Sequence, residues 1–567
     1  MTGIRVLLFA GFAAVCLLTL WREMVRAVPA DQADRAKEFV ANHVARLRPL
    51  EIAASRAWWN ANVSGKAEDF EEKERTQNKI DEALADPQKF QEVKAIKEAG
   101  GLADPLLARE IDLLYLSYLE KQVSPDLLKK MVALANKVEK QFNVSRAKVD
   151  GKEMTDSEVR RVLKQSKSSE RRQAVWEASK AVGAAVADDL KELVRERNQA
   201  ARQLGFPNYH ALQLHLNEQN GADVLHLFDE LDALTREPFA AAKAELDKKL
   251  AEDCSVKPAD LMPWHYHDPF FQEAPAVYSV SLDAPYQKAD LLRLCTDFYQ
   301  GIGLPVADVI ARSDLYEKPG KSPHAFCTDI DREGDVRVLA NVVPNEYWMG
   351  TLLHELGHSV YSSKNIPAKL PYLLRMESHI LTTEGVAMMF ERFSKQSNWV
   401  ERMGLTVEKP AEFDETARKV RRNQLLIFSR WCQVMLRFEK SMYENPDQDL
   451  NKLWWDLVAK YQLLKKPAGR NQPDFASKIH IVVAPVYYHN YQMGQLFASQ
   501  VHRAIARSLF PGIDPRNVMY NGNLKVGEFM KEKVFGPART LPWNELTRFA
   551  TGEALNAKAF ALDLQAN

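Results

Sequence analysis

The sequence lacks a net charge of either sign. Its 76 lysines and arginines are matched by 76 aspartates and glutamates, so the formal charge at pH 7 is zero. Proteins that bind nucleic acid or lie on anionic membranes usually carry an excess of basic residues. The composition therefore predicts no nucleic-acid partner and no general binding to membrane surfaces.

Cysteine is also scarce. Only four cysteines follow the first 30 residues: Cys254, Cys295, Cys327 and Cys432. No two of them are close enough in sequence to indicate a thiolate metal site, and four are too few for a disulfide framework in a chain of 567 residues. One disulfide is compatible with the sequence, which does not choose its partners.

Neither an internal repeat nor a low-complexity linker divides the chain. Hydrophobic residues make up 46% of it, which is enough for a large core. A helical enzyme of this length can be built as one domain. We therefore expect residues 31–567 to form a single domain.

The N-terminus departs from the globular pattern. Arg5 precedes an apolar run at residues 6–20, which is long for a signal-peptide core and short for a membrane span. Val28 and Ala30 form a candidate cleavage pair. We interpret residues 1–30 as a signal peptide or an uncleaved signal anchor. The rest of the chain is then exported, to the periplasm, to the extracellular space or to the outward face of a membrane, with the anchor as its only membrane contact.

Most of the chain has a helical pattern. From residue 31 to about 250, and again from 345 to 440, apolar residues recur at three-to-four spacing between charged faces. Capping residues followed by acids predict helix starts at Ser124, Thr155 and Asn345. The sequence therefore predicts a mainly α fold.

Two segments break the helical pattern. Residues 322–344 contain Val336, Val338 and Val342 after a glycine-containing turn, which predicts a hairpin or small sheet ending at Pro344. The aromatic and proline-rich segment LMPWHYHDPFFQEAP (261–275) predicts a fixed loop.

The segment HELGH at residues 354–358 has the spacing of a metal-hydrolase motif. On an α-helix, His354 and His358 lie on one face and can bind the same ion. Glu355 adjoins the first ligand and can act as general base toward the water that the metal activates.

A third ligand is expected on the next helical pattern, at residues 376–393. Zinc hydrolases often take a glutamate from a later helix. Glu377 and Glu384 are seven residues apart, so spacing alone does not choose between them. The small residues Gly385 and Ala387 favour Glu384, because they would let its helix pack tightly against the HELGH helix.

Metal-binding histidines are normally held by a further hydrogen bond. The acid expected one turn after Glu384 is replaced by Met388. Glu391, two turns on, is the remaining candidate for this role.

Several motifs occur in a specific order: QAARQLGFPNYHALQLHL (199–216), SPHAFC (322–327) with DVRVLANV (335–342), HELGH, TTEG (382–385), and KIHI (478–481) followed by PVYYHNYQMG (485–494). Together they resemble the peptidyl-dipeptidase A, or angiotensin-converting-enzyme, family of zinc metallopeptidases. The resemblance covers nearly all of residues 31–560. It implies a two-lobed helical ellipsoid with a deep central channel and a small β-sheet next to the zinc-binding helix. Residues 31–250 would form a helical lid and the first lobe, and residues 251–567 the cleft and the zinc site.

By this resemblance, one zinc ion per chain is assigned to His354, His358 and Glu384. Glu355 would activate water and then protonate the leaving amine. The same resemblance leaves chloride activation open, because His489 stands where the family has a chloride-binding arginine.

The resemblance also implies substrate-binding residues. His324 and His480 would donate hydrogen bonds to substrate carbonyls, and Ala325 would belong to a strand that pairs with the peptide backbone. Lys478 would pair with a free C-terminal carboxylate, to which Tyr487 would donate a hydrogen bond. The family's carboxylate-binding glutamine would lie near Trp264, where His-Tyr-His (265–267) follows, so strict dipeptide removal is not implied.

A tyrosine would stabilise the oxyanion. The family's spacing from His480 falls on Asn490, and one extra residue is needed to reach Tyr491. Tyr487, Tyr488 and Tyr491 share one helical face, so the pattern leaves all three open. We favour Tyr491.

The predicted function is that of an exported zinc metallopeptidase that releases C-terminal dipeptides from oligopeptides with a free C-terminus. One alternative is a related zinc oligoendopeptidase, which would cleave amidated substrates equally well. The other is a catalytically silent peptide-binding protein of the same fold, against which the intact Glu355 argues.

Overall fold

The computed structural model of the chain describes residues 30–278 and 281–565. Nearly all of the segment interpreted as a signal peptide or anchor lies outside these residues. Within the described ranges, no helix is both long enough and apolar enough to cross a membrane. Helices dominate, with two small two-stranded sheets, so the predicted mainly α class is confirmed.

The described chain falls into two compact units, one with residues 30–53 and 75–122, the other with residues 54–74 and 123–565. The chain begins with α1 (Ala30–Ser64), α2 (Ala67–Leu84), α3 (Pro87–Ala99) and α4 (Pro105–Glu120). In the first unit, α3 packs on α4. Asp86 and Asp104 cap these two helices by accepting backbone N–H bonds, and each precedes a proline that suits the first helical turn.

The second unit has a large aromatic core that includes the fully buried Trp176, Trp399 and Trp431. Its helices in the described range are α5 (Pro125–Val144), α6 (Asp156–Gln165), α7 (Ser169–Gln203), α8 (Tyr209–Leu216), α9 (Gly221–Cys254), α10 (Leu291–Gly301), α11 (Ala307–Arg312), α12 (Glu346–Val360), α13 (Ile380–Glu391), α14 (Ser397–Arg402), α15 (Pro410–Glu444), α16 (Leu450–Leu457), α17 (His480–Val483), α18 (Tyr488–Leu509), α19 (Leu524–Met530), α20 (Trp543–Thr551) and α21 (Lys558–Asp563).

The predicted helix starts are confirmed. α5 begins directly after Ser124, α6 after Thr155 and α12 after Asn345. Thr155 forms a reciprocal capping box with Glu158, and the Asn345 side chain accepts a hydrogen bond from the backbone of the first helical turn.

Both sheets are antiparallel hairpins. β3 (Phe326–Asp329) pairs with β4 (Val336–Leu339), and both strands contact α12. The predicted β element beside the HELGH helix is therefore confirmed, although Val342 lies beyond the strand. The hairpin of β1 (Ala147–Val149) and β2 (Lys152–Met154) was not predicted.

The sequence does contain a local signal for the hairpin that was not predicted. Asp150 and Gly151 connect its strands, and both have a positive φ, of 54° and 76°. An Asp-Gly pair with this conformation is typical of a two-residue hairpin turn. The strong helical pattern on either side of residues 147–154 concealed it.

The four cysteines in the described residues all carry free thiols. Cys254, Cys295 and Cys432 are buried. Burial raises the pKa of all four thiols, which keeps them protonated and poorly reactive. The disulfide that the sequence left open is therefore not formed among these residues.

Three helices approach one another with almost no side chain between them. α13 contacts both α12 and α18. A Cβ atom on Gly357 of α12 would lie 2.8 Å from Ala387 Cα, and one on Gly385 of α13 would lie 2.7 Å from the carbonyl oxygen of Gly494 on α18. The tight packing expected from Gly385 and Ala387 is confirmed, and it requires small residues on all three helices.

We predict that Gly385→Ala lowers the thermal unfolding temperature strongly. The new methyl group would also lie 2.7 Å from Phe497 Cδ1, and overpacking of this kind costs about 1–3 kcal/mol. The matched control is Gly301→Ala at the end of α10, where the nearest atom would be 3.5 Å away. The two variants and the wild type are compared by differential scanning calorimetry. Equal unfolding temperatures for Gly385→Ala and the wild type would contradict the packing described here.

Candidate active site

Two helices bring three metal-ligand types together. His354 and His358 lie on one face of α12, and Glu384 faces them from α13. One donor atom from each lies within 4.8 Å of the other two. His354 Nε2 is 3.2 Å from His358 Nε2 and 3.6 Å from Glu384 Oε2. Two imidazoles and one carboxylate in this arrangement are the ligand set of a catalytic zinc site with one open position.

Both histidine rings are held in the orientation that a metal requires. The Nδ1–H of His354 donates to Glu391 Oε2 over 3.0 Å, and the Nδ1–H of His358 donates to Thr383 Oγ1 over 2.7 Å. Each ring therefore presents Nε2 to the cluster. Glu391, the remaining candidate from the sequence, occupies the supporting position, whereas Met388 packs against the hydrophobic core.

The electrostatics of the cluster also suit a cation. Burial, helped by the charges of Glu384 and Glu391 and opposed by His354, raises the pKa of Glu355 to about 7. Although burial opposes it, the hydrogen bond and charge of Glu391, together with the other two glutamates, raise the pKa of His354 to about 9. Three carboxylates crowded into a buried site are stabilised by a bound dication, so the residues fit zinc.

Glu377, the alternative third ligand, does not join the cluster. α13 begins only at Ile380, after the capping residue His379, so Glu377 precedes the helix. The predicted helical pattern from residue 376 was therefore wrong at its start, and the shared-face argument does not apply to Glu377. The ligand cluster found in the described residues contains Glu384 instead.

The strand β3 lies directly beside the proposed general base. Glu355 is only 7% exposed, and its carboxylate accepts a hydrogen bond from the backbone N–H of Cys327. His324 and Ala325 precede the strand by one or two residues. The His324 side chain is exposed, and Ala325 packs against the core.

A buried lysine, Lys478, is surrounded by aromatic rings. Lys478 is 7% exposed, and its Nζ lies 5.2 to 5.4 Å from the ring centres of Phe270, Trp431 and Tyr488. It donates a hydrogen bond of 2.8 Å to Gln272 Oε1. No acidic side chain in the described residues forms an ion pair with it. An ammonium group beside an amide, buried with no direct ion pair although the charge of Asp268 acts on it, is suited to receive a carboxylate.

Gln272 was missed by the sequence analysis, which expected no glutamine near Trp264. It lies in the predicted fixed loop, where His267 and Phe271 adopt positive φ values of 67° and 52°. These two residues turn the backbone so that Gln272 meets Lys478. A path of this kind cannot be read from spacing along the sequence.

The structure divides the three tyrosines between two sites. Tyr488 lies beside Lys478, with its hydroxyl 3.5 Å from Gln272 Oε1, and the role expected for Tyr487 at the substrate carboxylate stays a prediction. Tyr487 is at the start of α18 and packs against Tyr491, with ring centres 5.1 Å apart. Burial and then the nearby charge of Glu384 raise the pKa of Tyr491, and both also contribute to the raised pKa of Tyr487. Tyr487 and Tyr491 therefore lie on the metal side.

A strained residue lies in the turn before the three tyrosines. Val486, between α17 and α18, has φ of +56°, which is rare for a β-branched residue and costs about 1–3 kcal/mol. Its N–H donates to both carboxylate oxygens of Glu439 at 3.2 Å. Arg197 donates to the carbonyl oxygens of Ile481 and Val482 at 3.0 and 2.6 Å. These buried contacts fix the turn that aims the tyrosines.

Glu439 and Arg197 were not predicted from the sequence. They lie on α15 and α7, far along the chain from the turn that they hold. No local pattern marks a buried acid or arginine as a partner for a distant backbone group.

Two further histidines are neutral at pH 7. Burial, with smaller contributions from His210 and His379, lowers the pKa of His489 to about 3, and its Nε2 hydrogen bonds to Gln219 Oε1 at 2.7 Å. The neutral ring of His489 therefore offers no positive charge that could bind an anion. Burial and then Lys478 lower the pKa of His480 to about 4. Its Nδ1 is buried and has no hydrogen-bond partner among the described residues.

The chain is similar to known proteins. Residues 30–560 match the family model described as angiotensin-converting enzyme. The chain is 23% identical to the angiotensin-converting enzyme of Mesocricetus auratus over 276 residues, which are 45% of this chain and 20% of that protein. It is 21% identical to that of Theromyzon tessulatum over 363 residues, 59% and 58% of the two chains.

A third relative is the angiotensin-converting enzyme-like protein Ace3 of Mus musculus. It is 32% identical over 113 residues, 19% of this chain and 15% of that protein. In all three cases the match spans less than two thirds of the relative's length. The comparisons thus indicate a family, and each relative's own activity remains a property of that relative.

We predict that Glu384→Ala abolishes tight zinc binding, because it removes one of three ligands. Glu377→Ala is the matched control and should keep about one zinc ion per chain. Zinc is measured by atomic emission after dialysis against a weak chelator. Equal zinc content in the two variants would contradict the assignment of Glu384.

Proposed function

Because the chain belongs to the angiotensin-converting enzyme family of zinc-dependent metallopeptidases, we propose that it releases dipeptides from the free C-termini of oligopeptides. The proposal includes export of the protein, for which the apolar run at residues 6–20 is the support. Its substrates are then peptides outside the cytoplasm.

The observation that carries this proposal is the placement of two tyrosines on one turn of α18. Tyr488 lies beside Lys478 and Gln272, and we call these three residues the Lys478 cluster. The charge of the metal ligand Glu384 contributes to the raised pKa of Tyr491. The ring centres of the two tyrosines are 5.9 Å apart. A carboxylate held by Lys478 would therefore lie close to the metal ligands. Two extended residues span about 7 Å, and we propose that a peptide anchored at Lys478 crosses this gap and is cut two residues from its C-terminus.

The Lys478 cluster supplies the specificity for a free C-terminus. Its ammonium group would form a charge-assisted bond with the terminal carboxylate. The Gln272 amide and the Tyr488 hydroxyl can donate further hydrogen bonds to the same group. Substrates that lack this charge leave the buried ammonium without its partner, and they should bind poorly.

The metal ligands would hold zinc, which when bound supplies Lewis acidity by lowering the pKa of water and polarising the scissile carbonyl. Glu355, next to the ligand His354, takes the proton from the attacking water and returns it to the leaving amine. The Tyr491 hydroxyl donates to the developing oxyanion.

The remaining residues orient the substrate. His480, whose buried Nδ1 is unpaired among the described residues, and His324, on the exposed approach to β3, donate hydrogen bonds to substrate carbonyls. The backbone at Ala325 pairs with the peptide as an added strand would. These contacts hold the scissile bond in position for attack.

We predict that the purified protein releases a dipeptide from a blocked tripeptide with a free C-terminus but acts weakly on the C-terminal amide. Products are identified by mass spectrometry. Glu355→Gln should lose at least about a hundredfold in kcat, because a general base contributes at least that factor. Equal cleavage of the acid and the amide would instead indicate an oligoendopeptidase. Zinc binding without turnover of either substrate would indicate a peptide-binding protein.

We also predict a pH dependence that is specific to the free acid. Burial, with a smaller effect of Arg160, lowers the pKa of Lys478 to about 8. Below that pH the ammonium is charged, and as pH rises through 8 the charge is lost, so kcat/KM for the free acid should fall. The amide serves as the control, because other titrations affect both substrates equally. Lys478→Met should remove the difference between the two profiles, and a difference that persists in this variant would contradict the role of Lys478.

A further inference from the structure

A basic cavity of about 450 Å³ lies between the segment that follows α13 and the first half of α15. We propose that it binds a small oxyanion such as inorganic phosphate. The inference is independent of the proposed peptidase function, because no metal ligand and no residue of the Lys478 cluster lines the cavity. Its basic lining residues are Arg392, Lys395, Arg418, Lys419, Arg421, Arg422 and Arg516.

Several of these bases are already neutralised. The pairs, with N···O distances from 2.6 to 3.3 Å, are Lys395–Glu346, Lys419–Glu415, Arg422–Glu245 and Arg516–Asp514. Arg392, Arg418 and Arg421 form no ion pair within the described ranges. Of the acids that line the cavity, all but Asp414 form an ion pair with a basic residue of the described ranges. Asp414 accepts hydrogen bonds from Ser397 instead. Three unpaired arginines against one unpaired aspartate leave a positive excess.

Arg392 is the strongest indication of a missing ligand. It is 6% exposed, and its Nε has no hydrogen-bond partner among the described residues. A buried N–H group without an acceptor is costly, and native structures normally satisfy it. The planar set of donors of Arg392 suits the oxygens of a phosphate or carboxylate group.

Arg421 lies near enough to Arg392 for their charges to repel. Burial and then the charge of Arg392 lower the pKa of Arg421 to about 10. The charges of Asp563 and Glu391 offset this repulsion only in part, because the pKa of Arg421 remains lowered. An anion bound between two arginines that line one cavity would relieve the rest.

One acid competes with this interpretation. Asp563 lies near both arginines, and its Oδ2 is buried without a partner among the described residues. Its Oδ1, however, already accepts hydrogen bonds from Arg503. If ordered water alone linked Asp563 to the arginines, the cavity would bind no anion. The two arrangements therefore differ in a measurable way.

The test is isothermal titration of the zinc-loaded full chain with inorganic phosphate, and in parallel with sulfate and acetate, at constant ionic strength set by chloride. We expect saturable binding of at least one of these oxyanions at one site. Arg421→Gln should weaken it about tenfold or more, because one charge-assisted interaction is lost. Arg392→Lys, which keeps the charge but loses the fork of donors, should weaken it as well.

The matched control is Arg507→Gln. Arg507 lines a different basic pocket, together with Arg503 and Lys558, and should leave the affinity unchanged. Loss of binding in Arg507→Gln but not in Arg421→Gln would move the anion to that pocket and overturn the proposal. Binding that is insensitive to Arg421→Gln and Arg392→Lys would assign the anion to the zinc ion or another surface. No binding of any of the three oxyanions would favour the water-filled arrangement. Arg421 is only partly buried, so its variant remains informative if Arg392→Lys does not fold.

Discussion

The close approach of three helices is the constraint on which the site depends. α12 carries two histidines, but a third ligand reaches them only because α13 packs at Gly357 with no side chain between the two backbones. Gly385 gives α13 the same contact with α18, which carries the tyrosines. The metal ligands and the oxyanion donor are thereby held on three rigid elements. A methyl group at either glycine would separate elements that must be positioned to a fraction of an ångström.

A second constraint is the way in which charge is distributed over the site. The metal side gathers three carboxylates around two imidazoles, whereas the other side buries the ammonium of Lys478 without an acidic partner in the described residues. Each side is costly without a ligand and is stabilised by one of opposite sign. A peptide that ends in a carboxylate, together with a bound dication, satisfies both sides at once. The strained turn at Val486 contributes to this arrangement, because it directs Tyr488 toward Lys478 and Tyr491 toward the metal ligands.

The sequence predicted those parts of the molecule that depend on local spacing. The HELGH motif, the helix caps at Thr155 and Asn345 and the hairpin before α12 all arise within a few residues, and the structure has them. Glu384 could be favoured because its small neighbours signal close packing. The parts that were not predicted depend on long-range geometry. Gln272 reaches Lys478 through two residues with positive φ, and Glu439 holds a turn that is 47 residues away along the chain. Tyr488 lies beside Lys478 because the long-range path of the loop that carries Gln272 brings both residues to the start of α18.

The central claim is that the carboxylate anchor lies two residues from the metal. The most direct measurement is a crystal structure of zinc-loaded Glu355→Gln with a bound tripeptide. The account predicts that the C-terminal carboxylate contacts Lys478 and Gln272, with the carbonyl of the third residue from the C-terminus next to His354 and His358. A peptide whose C-terminus lies elsewhere, or whose chain passes Lys478 without a carboxylate contact, would contradict it.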